Sequence, residues 1–415
     1  MLGSSQRMKQ IAVIGGGVAG LTAAYYLREI AEVTVYEANE YLGGHTQTHV
    51  IAMDGKTQPV DTGFIVYNDR TYPQFEALLD RLGCEGQKTE MSFSLKRPGF
   101  EYNGHNLNTL FAQRRNIINP VFWRMLVDIM RFNRLARRLD SESQETLGDF
   151  VKRHKFGRSF IENYLVPMAA AIWSSGDAQI YDFPIGMLAQ FFHHHGLLDL
   201  KNRPQWYVVK GGSNQYVKAL QKHLQNVRLQ SPVQRIRRTA EGVQVTTEQH
   251  VELFDEVVIA CHSPEALAML EDPSPEEVSV LGAMRFCENN VTLHQDSSVM
   301  PQRNTAWASW NYHGPADGQQ TALTYYMNRL QGFESRLPVL VTLNDFGGIA
   351  EDKVIKRLKY EHPVFDTAML TAQKRHAEIS GVRSTHYCGA YWRYGFHEDG
   401  VMSAQRVVDA VKAAC

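Results

Sequence analysis

The glycines near the start of the chain have the spacing of a phosphate-binding turn. An apolar run, Ile11–Ile14, is followed by Gly15, Gly17 and Gly20 and then by an alanine-rich stretch with helical periodicity. In a strand, turn and helix of this kind, the first glycine permits a tight turn, the second admits a pyrophosphate and the third lets the helix pack on the strand. The N–H groups at the helix N-terminus can then bind the phosphates.

A carboxylate completes this motif. Glu37 ends a second apolar run, Val33–Tyr36, about twenty residues after the glycine turn, where an acid accepts hydrogen bonds from ribose hydroxyls. A carboxylate there disfavours a 2′-phosphate, so NADP is the least expected occupant. The full context of strand, turn, helix, strand and acid predicts a dinucleotide site, with FAD and NAD both open.

Composition excludes several other classes of site. The net charge is −1, which gives no global attraction to nucleic acid. The five cysteines form no CxxC pair, which indicates a reducing compartment without a disulfide framework or a zinc site. No run approaches the ~20 apolar residues needed to span a bilayer. We therefore expect a cytoplasmic protein, with contact at the inner membrane surface left open.

The elements that must position the motif follow along the chain. The periodicity predicts a hairpin over 46–60, a helix over 72–82, two short strands over 91–102 and a mostly helical region over 107–172. Strand-like patterns return over 227–260. Helices are predicted at 274–281 and 352–359, strands at 307–312 and 323–327, and a C-terminal helix after Gly400.

One helix in the middle region is strongly basic. The segment Gln113–Arg138 contains seven arginines and a single acid, Asp128, interleaved with aromatic and aliphatic residues. Such a helix can pack its apolar face in the core while the arginines are solvated. It can also lie in a lipid headgroup layer. Both interpretations remain open from the sequence.

Three consecutive histidines, His193–His195, do not predict a metal site. Neighbouring side chains on a helix point about 100° apart and cannot all face one ion. The spacing also lacks an HExxH pair. We therefore predict no metal, although one of the three could face a substrate cavity.

The sequence resembles the FAD-containing amine oxidase and carotenoid desaturase superfamily. A second glycine pair, Gly43 and Gly44, follows Glu37 at the place where that superfamily has Gly-Gly-Arg, with His45 in place of the arginine. The resemblance implies that the backbone at Gly63 passes close to the flavin and that the backbone at Val233 contacts adenine. It also implies that the C-terminal segment supplies backbone N–H groups to the flavin pyrimidine, through Gly389, Gly400, Val401 and Met402.

A narrower resemblance covers nearly the whole chain. Several strings look like a bacterial group of predicted FAD-binding oxidoreductases, which is also similar to the N-terminal flavin domain of plant cyclopropane fatty acid synthases: YLGGHTQTH, DTGFIVYNDRTYP, LFAQRRNIINPVFWRML, AIWSS, RPQWYVVKGGSNQYV, MPQRNTAWASWNYH and CGAYWRYGFHEDG. In this group His45 is usual. The association with cyclopropane-type synthases implies lipid chemistry.

The resemblance implies an α/β fold with a Rossmann-like FAD-binding domain interleaved with a mixed α+β substrate domain. The predicted FAD-binding segments are 8–70, 205–263 and 382–415. The predicted substrate domain comprises 71–204 and 264–381, with a helical part over about 107–200.

The resemblance also orders the functional hypotheses. Positions at which many amine oxidases carry an acid and an aromatic residue are Tyr391 and His386 here. This favours non-covalent FAD and the dehydrogenation of an apolar substrate, such as a fatty acyl chain, by hydride transfer to flavin N5. The alternatives are an amine oxidase producing hydrogen peroxide and a non-catalytic flavin-binding partner of a lipid methyltransferase. His397 can titrate near neutral pH as a proton handler, or act only as a hydrogen-bonding residue in a tight loop.

Overall fold

A computed structural model gives the arrangement of the chain. It describes residues 7–140, 143, 145–173, 180–199, 202–314 and 321–414; Ser174 and Ser175 of the AIWSS string lie outside these ranges. The strands in chain order are β1 Lys9–Ile14, β2 Ala31–Tyr36, β3 Thr48–Met53, β4 Lys56–Asp61, β5 Tyr67–Asn68, β6 Gly86–Thr89, β7 Phe93–Arg97, β8 Phe100–Asn103, β9 Trp206–Val209, β10 Asn226–Arg228, β11 Arg235–Thr239, β12 Gly242–Thr246, β13 Val251–Phe254, β14 Glu256–Ile259, β15 Phe286–His294, β16 Trp310–His313, β17 Ala322–Tyr326, β18 Leu340–Leu343, β19 Val354–Pro363 and β20 Thr385–Tyr387.

The α-helices surround and connect these strands. In chain order they are α1 Val18–Leu27, α2 Pro73–Leu82, α3 Leu107–Leu110, α4 Pro120–Ala136, α5 Leu147–Arg153, α6 Arg158–Phe160, α7 Val166–Trp173, α8 Ile185–His194, α9 Asn214–Gln221, α10 Ser263–Met269, α11 Pro275–Gly282, α12 Met327–Gln331, α13 Thr367–Lys374, α14 His376–Ile379 and α15 His397–Ala413. A π-helical turn, Ile161–Leu165, joins α6 to α7.

A five-stranded parallel sheet holds the glycine motif. Its order is β10-β2-β1-β14-β20, so strands from three distant parts of the chain pair side by side. The central strand β1 is an apolar run because helices and other strands cover it on both sides; Ile11, Ala12 and Val13 are fully buried. The carboxyl ends of β1, β2 and β14 lead into the cavity described below.

A seven-stranded mixed sheet forms a second layer, with the order β19-β15-β18-β17-β16-β7-β8. Its neighbours are antiparallel except for β7 and β16, which are parallel. The smaller β3-β4 hairpin connects the glycine motif to Asp61, whose buried carboxylate accepts hydrogen bonds from the backbone N–H and hydroxyl of Ser213. The region 107–194 is helical over most of its described residues and packs against the seven-stranded sheet.

Most predicted elements are confirmed, including the α/β class, the hairpin after the glycine pair and the helix ending at Leu82. The helix predicted over 352–359 is wrong. Residues Val354–Pro363 form strand β19 instead, because they pair along the full length of β15 at the edge of the sheet. In the described ranges, no helix is long and apolar enough to cross a membrane.

Candidate functional site: a dinucleotide cleft continuous with an apolar cavity

A cavity of about 1060 Å³ runs from the glycine motif to the helical region. This volume exceeds the usual range of roughly 300–1,000 Å³ for a ligand pocket. At one end the wall is made by the ends of β1, β2 and β14 and by the segment 231–233. At the other end it is made by α7, α8 and the inner face of the seven-stranded sheet. The cavity is therefore long enough to hold two chemically different molecules or parts of molecules.

The glycine turn is built to leave its N–H groups exposed to the cavity. Gly15 has φ +106° and lies 3.0 Å, measured from an added Cβ, from the backbone of Ala260, so a side chain is excluded there. Gly17 is the N-cap of α1 and has no side-chain cap, and a Cβ added to it would meet open space. The first N–H groups of α1 are thus free to bind an anion in the space beside Gly17.

Glu37 sits beside this turn as predicted, but its carboxylate also holds the protein's own backbone. One oxygen accepts a hydrogen bond from Gly16 N at 2.8 Å, and the other accepts from the backbone and side chain of Asn39 at 2.8 Å each. The carboxylate lines the cavity. It therefore fixes the turn and remains placed to accept from a ribose hydroxyl.

The other predicted cofactor residues fall into three groups. Those that line the cavity are Gly15, Gly17, Glu37, Gly43, Gly44, His45, Gly63, Val233 and Gly389. Gly20 instead packs α1 on the turn, because an added Cβ would lie 1.9 Å from Gly15 O. Gly63 crosses the backbone of His45, where an added Cβ would lie 1.9 Å from the carbonyl oxygen. These glycines permit close backbone approach in addition to lining the site.

The prediction for Gly400, Val401 and Met402 is wrong in its geometry. Helix α15 begins at His397, so these three residues lie one turn inside it and their N–H groups belong to the helical hydrogen-bond pattern. None of the three lines the cavity. Gly400 instead allows α15 to pack on α1, because an added Cβ would lie 2.7 Å from Val18 Cγ1. The end of α15 that faces the cavity is His397.

His397 lies in the cavity wall and is held on all sides. Its ring stacks on Phe64 with a centroid distance of 3.5 Å and an interplanar angle of 13°. Its Nε2 lies 2.9 Å from Thr46 Oγ1 and 3.0 Å from Tyr216 Oη. Burial lowers the pKa of His397 to about 3, so the expectation that it titrates near neutral pH is wrong. The neutral ring anchors α15 to the loop that carries Gly63.

His45 lies with two other histidines that the sequence did not bring together. Its ring centroid is 5.9 Å from that of His262 and 5.3 Å from that of His362, and its Nε2 is 2.9 Å from the Glu361 carbonyl oxygen. Burial lowers the pKa of His45 well below its usual range, and the neighbouring rings lower it further. His45 therefore supplies a neutral hydrogen-bonding group where an arginine would supply a fixed charge.

These observations test whether a flavin dinucleotide fits. The open space at Gly17, the free N–H groups of α1 and the second glycine pair form a cradle for a pyrophosphate. Beyond it, the cavity continues past Gly63 and Phe64 to the start of α15. The described residues contain no group of three or more His, Cys, Asp or Glu side chains that could hold a metal ion.

Comparison with known proteins decides the family. Residues 18–293, about two thirds of the chain, match the family of flavin containing amine oxidoreductases. The chain belongs to this family. Its members bind FAD, and the protein is an FAD-dependent oxidoreductase of this family.

Individual relatives are distant. A protoporphyrinogen oxidase of Schizosaccharomyces pombe is 24% identical over 208 residues, which cover 46% of this chain and 42% of the relative. A carotenoid phi-ring synthase of Streptomyces griseus is 28% identical over 302 residues, which cover 64% of this chain and 54% of the relative. The chain thus spans only about two fifths to one half of the length of these relatives.

Solved structures show the same fold over nearly the whole chain. Cyclohexylamine oxidase from Brevibacterium oxydans superposes with a TM-score of 0.71 at 15% identity, covering 99% of this chain and 100% of that chain. A fatty acid isomerase from P. acnes that produces CLA superposes with a TM-score of 0.68 at 14% identity, covering 99% of each chain.

The wall of the cavity beyond the flavin end was not predictable from local motifs. It combines residues from the helical region with residues from the seven-stranded sheet: Tyr164, Met168, Ile172, Trp173, Phe191, His195, Leu197, Phe93, Trp310 and Tyr325. These side chains are far apart in sequence. The aromatic patterns of the predicted strands are the one sequence signal that pointed to this wall.

Proposed function

We propose that the protein dehydrogenates an apolar chain, such as a fatty acyl chain or the acyl group of a modified membrane lipid. The observation that carries this proposal is the aromatic and aliphatic wall of the cavity beyond the flavin end. Bound FAD would supply the hydride acceptor, at N5. The protein would bind and orient the chain and exclude water from it.

The position of the carboxylates supports an uncharged reacting segment. Among the described residues that line the cavity, the acids are Glu37, Glu265 and Glu361. Glu37 holds the glycine turn, and the other two contact His262, next to the end of β14. None of these contacts involves the helical wall. A protonated amine would have no carboxylate partner among the described side chains of that wall.

Arg203 supports an anionic end group on the chain. It is exposed and lines the cavity, and its Nε donates a hydrogen bond to the Asp199 carbonyl oxygen at 2.9 Å. Burial raises the pKa of the neighbouring Tyr164 phenol, and the Arg203 charge partly offsets that rise. A guanidinium at this place can bind a carboxylate or phosphate while the apolar chain extends inward.

An Arg203→Gln variant is expected to lose affinity for anionic chains only. The KM for a fatty acid should rise by about 10- to 100-fold, the effect of losing a charge-assisted hydrogen bond. The KM for the corresponding fatty alcohol should stay within about threefold of wild type, and kcat should change little. Arg138→Gln, an exposed arginine that does not line the cavity, is the matched control. Equal losses for acid and alcohol would contradict the assignment.

The direct test of the function is anaerobic reduction of the bound flavin. Fatty acids and phospholipids of several chain lengths should bleach the flavin absorbance, and mass spectrometry should find a product that has lost two hydrogens. Whole-cell fatty acid profiles with and without the gene should differ correspondingly. If polyamines or aromatic amines bleach the flavin and release hydrogen peroxide while acyl chains do not, the alternative of an amine oxidase replaces this proposal.

The surface of α4 supports access to lipid. The helix has a buried apolar face, with Phe122, Met125 and Phe132 fully buried, so the core accounts for that face. A second apolar face is exposed: Trp123, Val127 and Met130 are 48%, 54% and 50% exposed. Arg124 and Arg131 pair with the buried Asp128, whereas Arg134 and Arg138 are exposed beside the apolar stripe. An exposed apolar stripe flanked by arginines is complementary to an anionic bilayer surface.

We therefore expect the protein to float with vesicles that contain phosphatidylglycerol and not with vesicles of phosphatidylcholine alone. A variant carrying Trp123→Ser, Val127→Ser and Met130→Ser should lose at least about tenfold in vesicle affinity, since each substitution removes about 1 kcal/mol or more of apolar burial. Val251→Ser, which alters an exposed apolar residue elsewhere, is the control. Wild-type protein that ignores anionic vesicles at moderate salt would contradict membrane contact and favour a protein partner, such as a lipid methyltransferase.

A further inference from the structure

His195 is the member of the histidine run that lines the cavity. It follows α8 and is 8% exposed, whereas His193 is on the outside of the helix. The cavity wall includes His195 and neither of its two histidine neighbours. The helical arrangement that prevents three adjacent histidines from binding one ion therefore turns a single imidazole inward.

The hydrogen bonding of this ring defines which nitrogen is open. Nδ1 lies 3.0 Å from the Phe191 carbonyl oxygen. A carbonyl oxygen only accepts, so Nδ1 carries the hydrogen and the neutral ring has its lone pair on Nε2. Nε2 has no hydrogen-bond partner in the described part of the chain, and it is not among the atoms sealed in the protein interior. It is therefore open to the cavity that the ring lines.

Aromatic packing fixes this nitrogen near the flavin end. The His195 ring stacks on Phe191 with a centroid distance of 3.8 Å and an interplanar angle of 21°. Phe191 in turn stacks on Phe396 at 5.0 Å, and Phe396 immediately precedes His397. His195 thus lies where the apolar wall meets the start of α15. A ring held on both faces can present its lone pair in one direction without a large entropic cost.

We propose that Nε2 of His195 accepts the proton that leaves the substrate during dehydrogenation. This inference rests on the proposed function. One C–H bond of the chain breaks with its electron pair, and that hydride goes to FAD. The electrons of the adjacent C–H bond form the double bond, and its hydrogen leaves as a proton to His195. The substrate loses two electrons, which the FAD receives.

The electrostatics of the site agree with this role. Burial is the main cause that lowers the pKa of His195 to about 4; His194 and Arg393 lower it further, and the Phe191 carbonyl opposes them. The ring is therefore neutral and able to accept at pH 7. Departure of a hydride leaves positive charge on the chain, which makes the adjacent C–H bond strongly acidic, so a weak base suffices. His397 cannot serve, because its Nε2 is shared by Thr46 and Tyr216.

A pair of variants tests this role in the FAD-loaded protein. His195→Gln keeps a hydrogen-bonding side chain but cannot take up the proton, and His193→Gln makes the same change on the outer face of the same helix. With a fatty acid, anaerobic flavin reduction should slow by at least about 100-fold in His195→Gln and remain at the wild-type rate in His193→Gln. Affinity for a perfluorinated fatty acid, which has no C–H bond to break, should stay within about twofold in both variants.

Two outcomes overturn the inference. His195→Gln that reduces its flavin within about threefold of the wild-type rate shows that no proton passes to this ring. Loss of perfluorinated-chain binding in proportion to the rate shows that the ring only positions the chain. A third readout is independent of turnover: ¹⁵N NMR of labelled histidines should find His195 neutral with its hydrogen on Nδ1, and a fatty alcohol should shift its Nε2 signal. An unshifted signal also overturns the inference, whereas a wild-type flavin that no acyl chain reduces rejects the proposed function itself.

Discussion

A Gly17→Val variant is expected to fold and to lose its FAD, with flavin content falling below about a tenth of the wild-type value. Gly17 has an extended backbone, with φ −77° and ψ −177°, which a valine adopts readily. An added Cβ meets no protein atom within 4 Å, so the side chain enters the space proposed for the pyrophosphate. The loss is therefore steric and confined to the cofactor.

The measurement separates cofactor loss from misfolding. Flavin released by heating gives the FAD content, and urea unfolding of the two apoproteins should give midpoints that agree closely. Comparing apoproteins matters because a bound ligand stabilises by about 2.7 kcal/mol when its concentration is 100 times its Kd. Gly282→Val is the control, since a Cβ there makes one ordinary contact at 3.9 Å. A yellow Gly17→Val protein with full flavin content would contradict the placement of the pyrophosphate.

The free energy of unfolding is expected to fall steeply as the pH drops from 6.5 to about 4. Burial lowers the pKa to about 4 for His195, His294 and His313 and to about 3 for His397. In this window the unfolded chain binds protons that the folded protein rejects, so acid favours unfolding. Each group contributes about 3 kcal/mol, which is large beside a total stability of about 5–15 kcal/mol.

Two buried carboxylates oppose this trend. Burial raises the pKa of Asp61 to about 6 and of Asp399 to about 7, so their folded forms bind protons that the unfolded chain has lost. Their contribution is fully present below the ordinary aspartate pKa and is lost as the pH rises through the folded values. Near pH 5, four histidines against two aspartates leave a net difference of about two protons, or about 2.7 kcal/mol per pH unit.

A double variant checks the assignment. His294 and His313 are joined by a buried chain of hydrogen bonds through Thr342 and Thr324, at 2.7 Å and 3.1 Å from the two rings. Replacing both by glutamine should remove two of the four histidine contributions and flatten the pH dependence near pH 5. His193→Gln, on the exposed face of α8, should leave it unchanged. Urea midpoints measured at half-unit pH steps decide between these results; an unchanged slope in the double variant would contradict the prediction.

The nucleotide end was predictable because its signals are local. Gly15, Gly17 and Glu37 specify a turn and a strand end within thirty residues, and the structure places all three in the cavity wall. The start of α15 was missed although a signal exists. The Asp399 carboxylate accepts a hydrogen bond from Phe396 N at 2.9 Å, as an acid in the first helical turn does, which sets the helix start before Gly400.

The remainder depended on contacts between distant segments. His397 meets Thr46 and Tyr216, which lie 351 and 181 residues away in sequence, and no periodicity contains that information. Strand β19 was mistaken for a helix because a short charged segment fits both periods; pairing with β15 decides it. His195 was recognisable only as one of three candidates until the orientation of α8 was known.

The order of the strands in the parallel sheet governs when the protein can acquire its cofactor. β1 carries the glycine turn, but one of its neighbours is β14, and β14 in turn pairs with β20. Helix α15 then packs on α1 across the same sheet. A ribosome has to synthesise nearly four hundred residues before these partners exist, and contacts so distant in sequence form slowly. FAD is therefore expected to enter after synthesis of this sheet is complete, so the cell's free FAD supply limits the yield of active protein.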